Sequence, residues 1–204
     1  MNDDLEQETA FGGIVEGRLR HGDGSTPVLG MFDIDEELAR PGSEGAIAHA
    51  VIASLAAVHR KPTLFQIKAE VDRALGRFAP IEARAHRQNV TGVVHRYFSR
   101  CLPPARYFFG GTEFDLGVGR ADLVWFDVDG LVLADEIKTG SPRSLRLTTT
   151  LEQVERYRAA CLAAWGERFV GLRLLCPCEP AASIFIRPDG GSMQLSVTLH
   201  QDWS

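Results

Sequence analysis

The chain has 204 residues, of which 45% are hydrophobic and 24% charged, close to the averages of globular domains. This composition excludes a fibrous or wholly disordered protein. No apolar stretch reaches the roughly 18–20 residues that a membrane helix needs, so we expect a cytoplasmic protein without a membrane partner. The length suits one domain, residues 43–204, with an N-terminal arm before it.

Charge is distributed unevenly along the chain. The net charge is −5, but residues 1–44 alone carry −8, which leaves +3 for residues 45–204. Residues 1–42 mix acidic side chains with glycines and hold few clustered apolar residues, so we expect a flexible acidic arm. Because the distribution of charge matters more than its total, a mildly basic body remains compatible with nucleic-acid binding.

Three helices are predicted in the first half of the domain. The alanine-rich segment that begins at Ser43 has apolar residues at helical spacing. Thr63 and Gln66 form a capping-box pattern at the start of a second helix. Pro80 suits the first position of a third helix, which must end before Pro103.

Short strands follow these helices. Residues 105–109, 119–126 and 131–138 are rich in aromatic and aliphatic side chains and are separated by glycine turns. The dipeptide Asp129-Gly130 is a strong hairpin signal, so the second and third of these strands are predicted to pair antiparallel. Their side chains can then meet across the ladder.

The last third of the sequence predicts another helix and more strands. Apolar residues at three-to-four spacing predict a helix that starts near Thr148 and ends at Gly166. Strands are predicted over residues 168–176, 183–187 and 193–200. Helices and strands together indicate an α/β fold.

One face of the strand over residues 131–138 carries chemically capable side chains. Residues two apart in a strand point to the same face, so Glu136 and Lys138 project together, whereas Asp135 and Ile137 project the other way. Asp122 lies on the partner strand of the predicted hairpin, where it can approach Glu136. Two carboxylates that close would repel each other unless a cation lay between them.

These residues suit a hard divalent cation. Mg²⁺ and Mn²⁺ prefer carboxylate and carbonyl oxygens together with water, which the side chains of Asp122 and Glu136 and the backbone carbonyl of Ile137 could supply. A lysine beside such a site can steady charge on a phosphoryl oxygen, while the metal lowers the pKa of water. Phosphodiester hydrolysis is the reaction that this set, with Lys138, predicts.

Three motifs in order resemble the PD-(D/E)XK nuclease superfamily, and within it the RecB-like branch. They are GRAD at 119–122, DEIKTG at 135–140 and QVERY at 153–157, and the resemblance covers about residues 80–176. It implies a restriction-endonuclease-like core, which is a central mixed β-sheet flanked by helices, here with extra N-terminal helices. It also implies Mg²⁺-dependent DNA cleavage.

The same resemblance assigns roles to individual residues. It implies metal ligation by Asp122 and Glu136 and a transition-state role for Lys138. Gln153 and Tyr157 lie four residues apart on one helix face and match the QxxxY element, which in this branch supports the site and contacts DNA.

The identity of a further metal ligand stays open in the sequence. RecB-like nucleases carry an upstream GxxxHxxxE motif, and Gly45 and His49 match its first half, but Ala53 stands where the acid should be. His49 can equally be a core histidine. Glu82, on the helix just upstream of the first strand, is the alternative ligand, and it can equally be a solvated side chain. Glu113 on the first strand is left outside the core site.

Partners and cofactors follow from these hypotheses. Arg143 and Arg146, which directly follow the catalytic strand, are predicted to contact DNA phosphates, as is Arg87 on the third helix. Mg²⁺ or Mn²⁺ is the expected cofactor. No iron–sulfur cluster is expected, because the spacing of the four cysteines does not match that of RecB-like nucleases that bind such a cluster.

The alternative function is a catalytically silent nuclease-fold subunit that binds DNA or a protein in a repair or defence complex.

Overall fold

The computed structural model describes residues 43–195, with side chains from residue 44. The predicted acidic arm, residues 1–42, and the end of the last predicted strand lie outside the described residues. Four helices and six strands make up the described part, together with three short 3₁₀ turns over residues 142–146, 166–168 and 180–182.

The three predicted N-terminal helices are confirmed. They are α1 (Ser43–Val58), α2 (Leu64–Leu75) and α3 (Pro80–Arg100). At the start of α2, Thr63 and Gln66 form the capping box in both directions, which satisfies two backbone donors that a helix leaves unpaired. Pro80 occupies the first turn of α3, where its missing N–H costs no hydrogen bond.

The strands form one six-stranded mixed sheet in the order β1-β2-β3-β4-β5-β6. Only β3 and β4 are parallel; the other neighbours pair antiparallel. Helix α4 (Thr148–Trp165) connects β3 to β4, as a parallel connection requires. The strands are β1 (Phe108–Asp115), β2 (Arg120–Phe126), β3 (Val132–Ile137), β4 (Phe169–Leu175), β5 (Ile184–Ile186) and β6 (Ser192–Gln194).

The aromatic residues over 105–109 predicted the first strand, but the strand in the structure begins and ends further along the chain. It spans Phe108–Asp115 and continues through two glycines, with an irregularity between Phe109 and Gly111. Glycine has a low strand propensity, but backbone pairing with β2 as far as Asp115 and Arg120 overrides that local preference.

The hairpin between β2 and β3 is confirmed. The strands pair antiparallel from Phe126 and Val132 to Leu123 and Asp135, and the turn closes with a hydrogen bond from the Gly130 N–H to a backbone carbonyl. This register decides which residues meet at the open end of the hairpin.

Two hydrophobic clusters cover the two faces of the sheet. Helices α1, α2 and α3 pack on one face, through residues such as Ile47, Ile67 and Val94 against Leu123 of β2. Helix α4 packs on the other face, where Trp165 belongs to the second cluster. No helix within residues 43–195 is long and apolar enough to cross a membrane.

Candidate active site

Asp122 and Glu136 lie at the open end of the β2–β3 hairpin. The ladder between these strands ends at the pair Leu123–Asp135, and Asp122 and Glu136 are the next residue on each strand. The Ile137 N–H donates to the Asp122 carboxylate at 2.5 Å, so a side-chain oxygen is the acceptor where the ladder has stopped. The hairpin therefore brings the two predicted acidic ligands together.

Lys138 completes this arrangement on the face of the sheet that α4 covers. Its ammonium group donates to Glu136 at 2.7 Å and to the Gln153 side-chain oxygen at 2.9 Å. Asp135 contacts Trp125 and Tyr97 on the opposite face, beside α3. The predicted alternation of side chains along β3 is thus confirmed.

The QxxxY pair of α4 links the lysine to β2. The Gln153 amide donates to the Tyr157 hydroxyl at 3.0 Å, and the same hydroxyl accepts the Arg120 N–H at 3.3 Å. Gly119 has φ of +144°, and a Cβ there would lie 2.5 Å from the Tyr157 oxygen. The glycine of the GRAD motif therefore makes room for the tyrosine of the QVERY motif.

His49 reaches the site from α1. Its Nδ1 lies 3.4 Å from an Asp122 carboxylate oxygen. One turn earlier, Gly45 faces Thr139, and a Cβ on Gly45 would lie 2.8 Å from the Thr139 hydroxyl oxygen. Of the two alternatives for an upstream ligand, the structure brings His49 to the site.

Burial changes the acidity of Glu136. Its side chain is 5% exposed, and desolvation together with the charge of Asp122 raises the pKa of Glu136 to about 7, although the Lys138 ammonium opposes the shift. The ionised form that would bind a cation is therefore costly in the free protein, and a cation would relieve that cost.

The pKa of His49 is raised as well, but for an imidazole this favours the charged form. Burial disfavours its cation, but the charge and hydrogen bond of Asp122, with smaller contributions from Glu136 and Glu113, outweigh burial and raise the pKa of His49 to about 9. Without a metal, His49 therefore acts as a positive partner for these carboxylates. A metal at Nε2 would have to displace its proton.

Two buried polar atoms of the site lack partners. The second carboxylate oxygen of Glu136 and the Nε2 of His49 are both buried without a hydrogen-bond partner among residues 44–195. Buried polar atoms are nearly always paired, so these two atoms are available to a ligand. No group of three or more His, Cys, Asp or Glu side chains in that range has the geometry of a metal site. The donor chemistry, two carboxylates and one imidazole, nevertheless fits a divalent cation.

Glu82, the other candidate ligand, is not brought to this cluster. It is exposed in the first turn of α3, and no hydrogen bond or ion pair described for residues 43–195 joins it to Asp122 or Glu136. Its neighbour His86 instead contacts Glu44 at 2.7 Å. Glu82 therefore lies on a solvent-exposed face of α3.

The predicted DNA-contacting arginines fall in two places. Arg143 and Arg146 are exposed in the 3₁₀ turn that directly follows β3 and Lys138. Arg87 lies on α3, where its guanidinium pairs with Asp72 of α2 at 2.6 Å. Only the first two lie beside the candidate site along the chain.

The cysteines occupy separate environments. Cys101 is buried in the cluster under α1 to α3, whereas Cys161 is buried with α4 on the other face of the sheet. Cys178 is exposed, and its thiol contacts the Thr139 carbonyl at 3.0 Å. Cys101 and Cys161 thus cannot share one ligand site.

Sequence reasoning missed two features around the site. Glu113, left out of the core, has φ of +48°, which is uncommon for a residue other than glycine, and it pairs with Arg120 at 3.5 Å. Such a backbone value has no sequence signal. Asp135 was expected only to point away from the site, but it forms a buried ion pair with Arg173. An arginine in an apolar strand was the available signal for this pair.

Comparison with known proteins adds no family to these observations. No protein-family model matches the chain, and no curated protein matches it either. The geometry of the cluster and the motif resemblance therefore carry the functional conclusion.

Proposed function

We propose that this protein is a Mg²⁺- or Mn²⁺-dependent deoxyribonuclease of the PD-(D/E)XK type, with a restriction-endonuclease-like core. One observation carries the proposal: Asp122, Glu136 and Lys138 converge at the end of the hairpin, and one oxygen of Glu136 is buried there without a partner. A carboxylate oxygen without a protein partner is available to a cation, as a metal site requires.

Asp122, Glu136 and the Ile137 carbonyl would hold the cation. In an antiparallel ladder the N–H and C=O of one residue point to the same neighbouring strand. Because the Ile137 N–H points to Asp122, its carbonyl also faces that side. His49 is the further candidate ligand, because its Nε2 is buried without a partner among the described residues. A divalent cation, when bound, supplies Lewis-acid activation of water and of the scissile phosphate.

Lys138 supplies fixed positive charge. Its ammonium group is held from two sides, by Glu136 and by Gln153, so little reorganisation is needed for it to face a phosphoryl oxygen. Gln153 is held in turn by Tyr157, which is anchored on the Arg120 N–H. Gln153 and Tyr157 are positioning residues in this arrangement, because they act through the lysine.

The test compares DNA cleavage by the wild-type protein and by Asp122→Asn, with linear and circular DNA in Mg²⁺ and in Mn²⁺. Asp129→Asn is the matched control, because Asp129 is exposed in the hairpin turn, away from the site. We expect wild type and control to cleave, and Asp122→Asn to lose cleavage while it stays folded. Equal cleavage by Asp122→Asn would refute the site.

A catalytically silent nuclease-fold subunit is the second candidate. The observation that favours it is the absence, within residues 44–195, of a group of three or more side chains with metal-site geometry. Calorimetric titration with Mn²⁺ separates the two. An enzyme should bind Mn²⁺ in a way that depends on Asp122 and Glu136, whereas a silent subunit should bind DNA or a protein without doing so.

A further inference from the structure

A groove between α2 and α3 lies outside the candidate active site. It encloses a volume of about 510 Å³. Residues of α2 spaced four apart form one wall, and residues on one face of α3 form the other; they are Leu64, Lys68, Asp72, Arg84, Arg87, Gln88, Thr91, Gly92 and His95. Most of the polar members are exposed, so the groove is open to solvent.

The groove is basic. Lys68, Arg84 and Arg87 line it, and Asp72 is the one carboxylate among the described lining residues. Asp72 is already engaged by Arg87 at 2.6 Å. Lys68 lines the groove from α2 and Arg84 lines it from α3, each without an ion-pair partner among residues 43–195. A net positive groove with unengaged cations attracts an anion.

Two neutral side chains that can form hydrogen bonds, Thr91 and Gln88, also line the groove. The Thr91 hydroxyl is buried, so Gln88 is the more accessible of the two. Gln88, one turn earlier on α3, is exposed. Threonine and glutamine side chains commonly contact phosphate and sugar oxygens alongside lysine and arginine.

The length of the groove favours a polymeric anion over a single anion as its ligand. From Arg84 to His95 the helix advances about 16 Å, at 1.5 Å per residue. A DNA strand carries one phosphate per about 3.4 Å of helix axis, so the groove could span several phosphates. A single phosphate would need cations that converge on one point rather than along a helix face.

The start of α1 contacts both α3 and the segment that follows Lys138. On α3, His86 contacts Glu44 of α1 at 2.7 Å, and it lies between the groove residues Arg84 and Arg87 in the sequence. The next residue of α1, Gly45, packs against Thr139, which directly follows Lys138. The Arg84 end of the groove is therefore the end nearer the site.

We infer that the α2–α3 groove binds the sugar–phosphate backbone of the DNA substrate beyond the cleavage site. The inference rests on the proposed function for the identity of the polymer. The groove holds one strand from Arg84 towards His95, through charge and hydrogen bonds to phosphate oxygens and without contacts that read base sequence.

The experiment measures DNA binding by fluorescence anisotropy in EDTA, so that no cleavage occurs, over a series of salt concentrations. The test variant is Lys68→Gln/Arg84→Gln. The matched control is Arg100→Gln/Arg168→Gln, which removes the same charge from two exposed positions outside the groove. Circular dichroism and thermal melting check that both proteins fold.

We expect the groove variant to bind DNA on the order of tenfold more weakly at 0.1 M salt. The slope of log K against log salt should fall by about 2, since each lost phosphate contact removes about 0.9. The control should change neither quantity. Each single groove substitution should give about half the change in slope.

Four outcomes would overturn the inference. An unchanged affinity of the groove variant would do so while leaving the proposed function intact, because the wild type still binds DNA. An equal loss in the control would show that total charge, not the groove, matters. Binding of poly-glutamate that depends on Lys68 and Arg84, with DNA binding unchanged, would identify an acidic protein segment as the occupant. Failure of the wild type both to bind and to cleave DNA would refute the proposed function as well.

Discussion

Asp135 and Glu136 are neighbours in β3, yet their carboxylates lie in opposite environments on the two faces of the sheet. Asp135 is fully buried and accepts two hydrogen bonds from Arg173, at 2.6 and 2.7 Å. It also accepts bonds from Trp125 at 2.9 Å and from Tyr97 at 3.2 Å. Every oxygen of Asp135 is therefore used.

Glu136 is almost as buried but far less satisfied. Lys138 engages one of its oxygens, and the other has no partner among the described residues. Burial raises the pKa of both carboxyls, yet only Asp135 has a complete set of donors to offset the cost. Two adjacent acids thus have different roles. Asp135 links β3, β4 and α3 through its hydrogen bonds, whereas Glu136 keeps one oxygen available to a ligand.

The largest expected effect is on activity. Glu136→Gln should reduce DNA cleavage at least 100-fold, because the amide keeps the shape of the side chain but removes the charge that a cation needs. Asp135→Asn is the matched control, which should retain cleavage per folded molecule at a temperature where it is folded. Equal losses of cleavage in Glu136→Gln and Asp135→Asn would contradict the separate roles of these two carboxylates.

The next largest effect is on stability, and here the substitution of Asp135, not of Glu136, should have the larger effect. Asp135→Asn should lower the free energy of unfolding by about 3–5 kcal/mol, because it leaves the Arg173 cation buried without a counter-charge. Denaturant unfolding measures this loss. Adding Arg173→Met to Asp135→Asn should recover part of it, since both charges are then gone. A double variant as unstable as the sum of the singles would contradict the ion-pair explanation.

A smaller effect should depend on pH. The pKa of Glu136 rises from 4.5 in the unfolded chain to about 7 in the fold, so the folded state binds more protons between these values. Wild-type stability should therefore fall as the pH rises from 4.5 to 7, relative to Glu136→Gln, which has no proton to lose. Without metal, Glu136→Gln should be the more stable protein at pH 8, by about 1–3 kcal/mol.

Thermal melts at pH 4.5, 6 and 8 in EDTA test this dependence. The difference between the two proteins should be smallest at pH 4.5 and should grow as the pH rises to 8. A constant difference across the whole range would show that Glu136 does not titrate in this window. Added Mn²⁺ should stabilise the wild type and leave Glu136→Gln unchanged.

The smallest expected effect concerns the residues that position Lys138. Gln153→Ala and Tyr157→Phe should each reduce cleavage by about tenfold, because each removes one link of the chain from Lys138 to the Arg120 N–H. Glu152→Ala, an exposed neighbour on α4, should leave cleavage unchanged. Either site variant with wild-type turnover would reduce the QxxxY pair to a packing role.

Local periodicity was enough to predict much of the fold and of the site. The capping box at Thr63, the turn at Asp129-Gly130 and the alternation along β3 are properties of neighbouring residues, so the sequence shows them directly. The spacing of Gln153 and Tyr157 is of the same kind. The extent of β1 was predicted poorly, because pairing with β2 decides where that strand begins and ends.

Which distant residues meet was decided only by the tertiary structure. Nothing local separates His49 from Glu82 as a partner of Asp122, and docking of α1 against the sheet brings His49 within 3.4 Å. Likewise the sequence determined that Asp135 and Glu136 face opposite ways, since strand geometry requires it. Tertiary packing decided the hydrogen bonding of each acid. Arg173 packs on one face and satisfies Asp135, whereas on the face of α4 one oxygen of Glu136 has no partner among the described residues. Contacts between residues far apart in the chain depend on how whole elements pack, so the sequence does not show them locally.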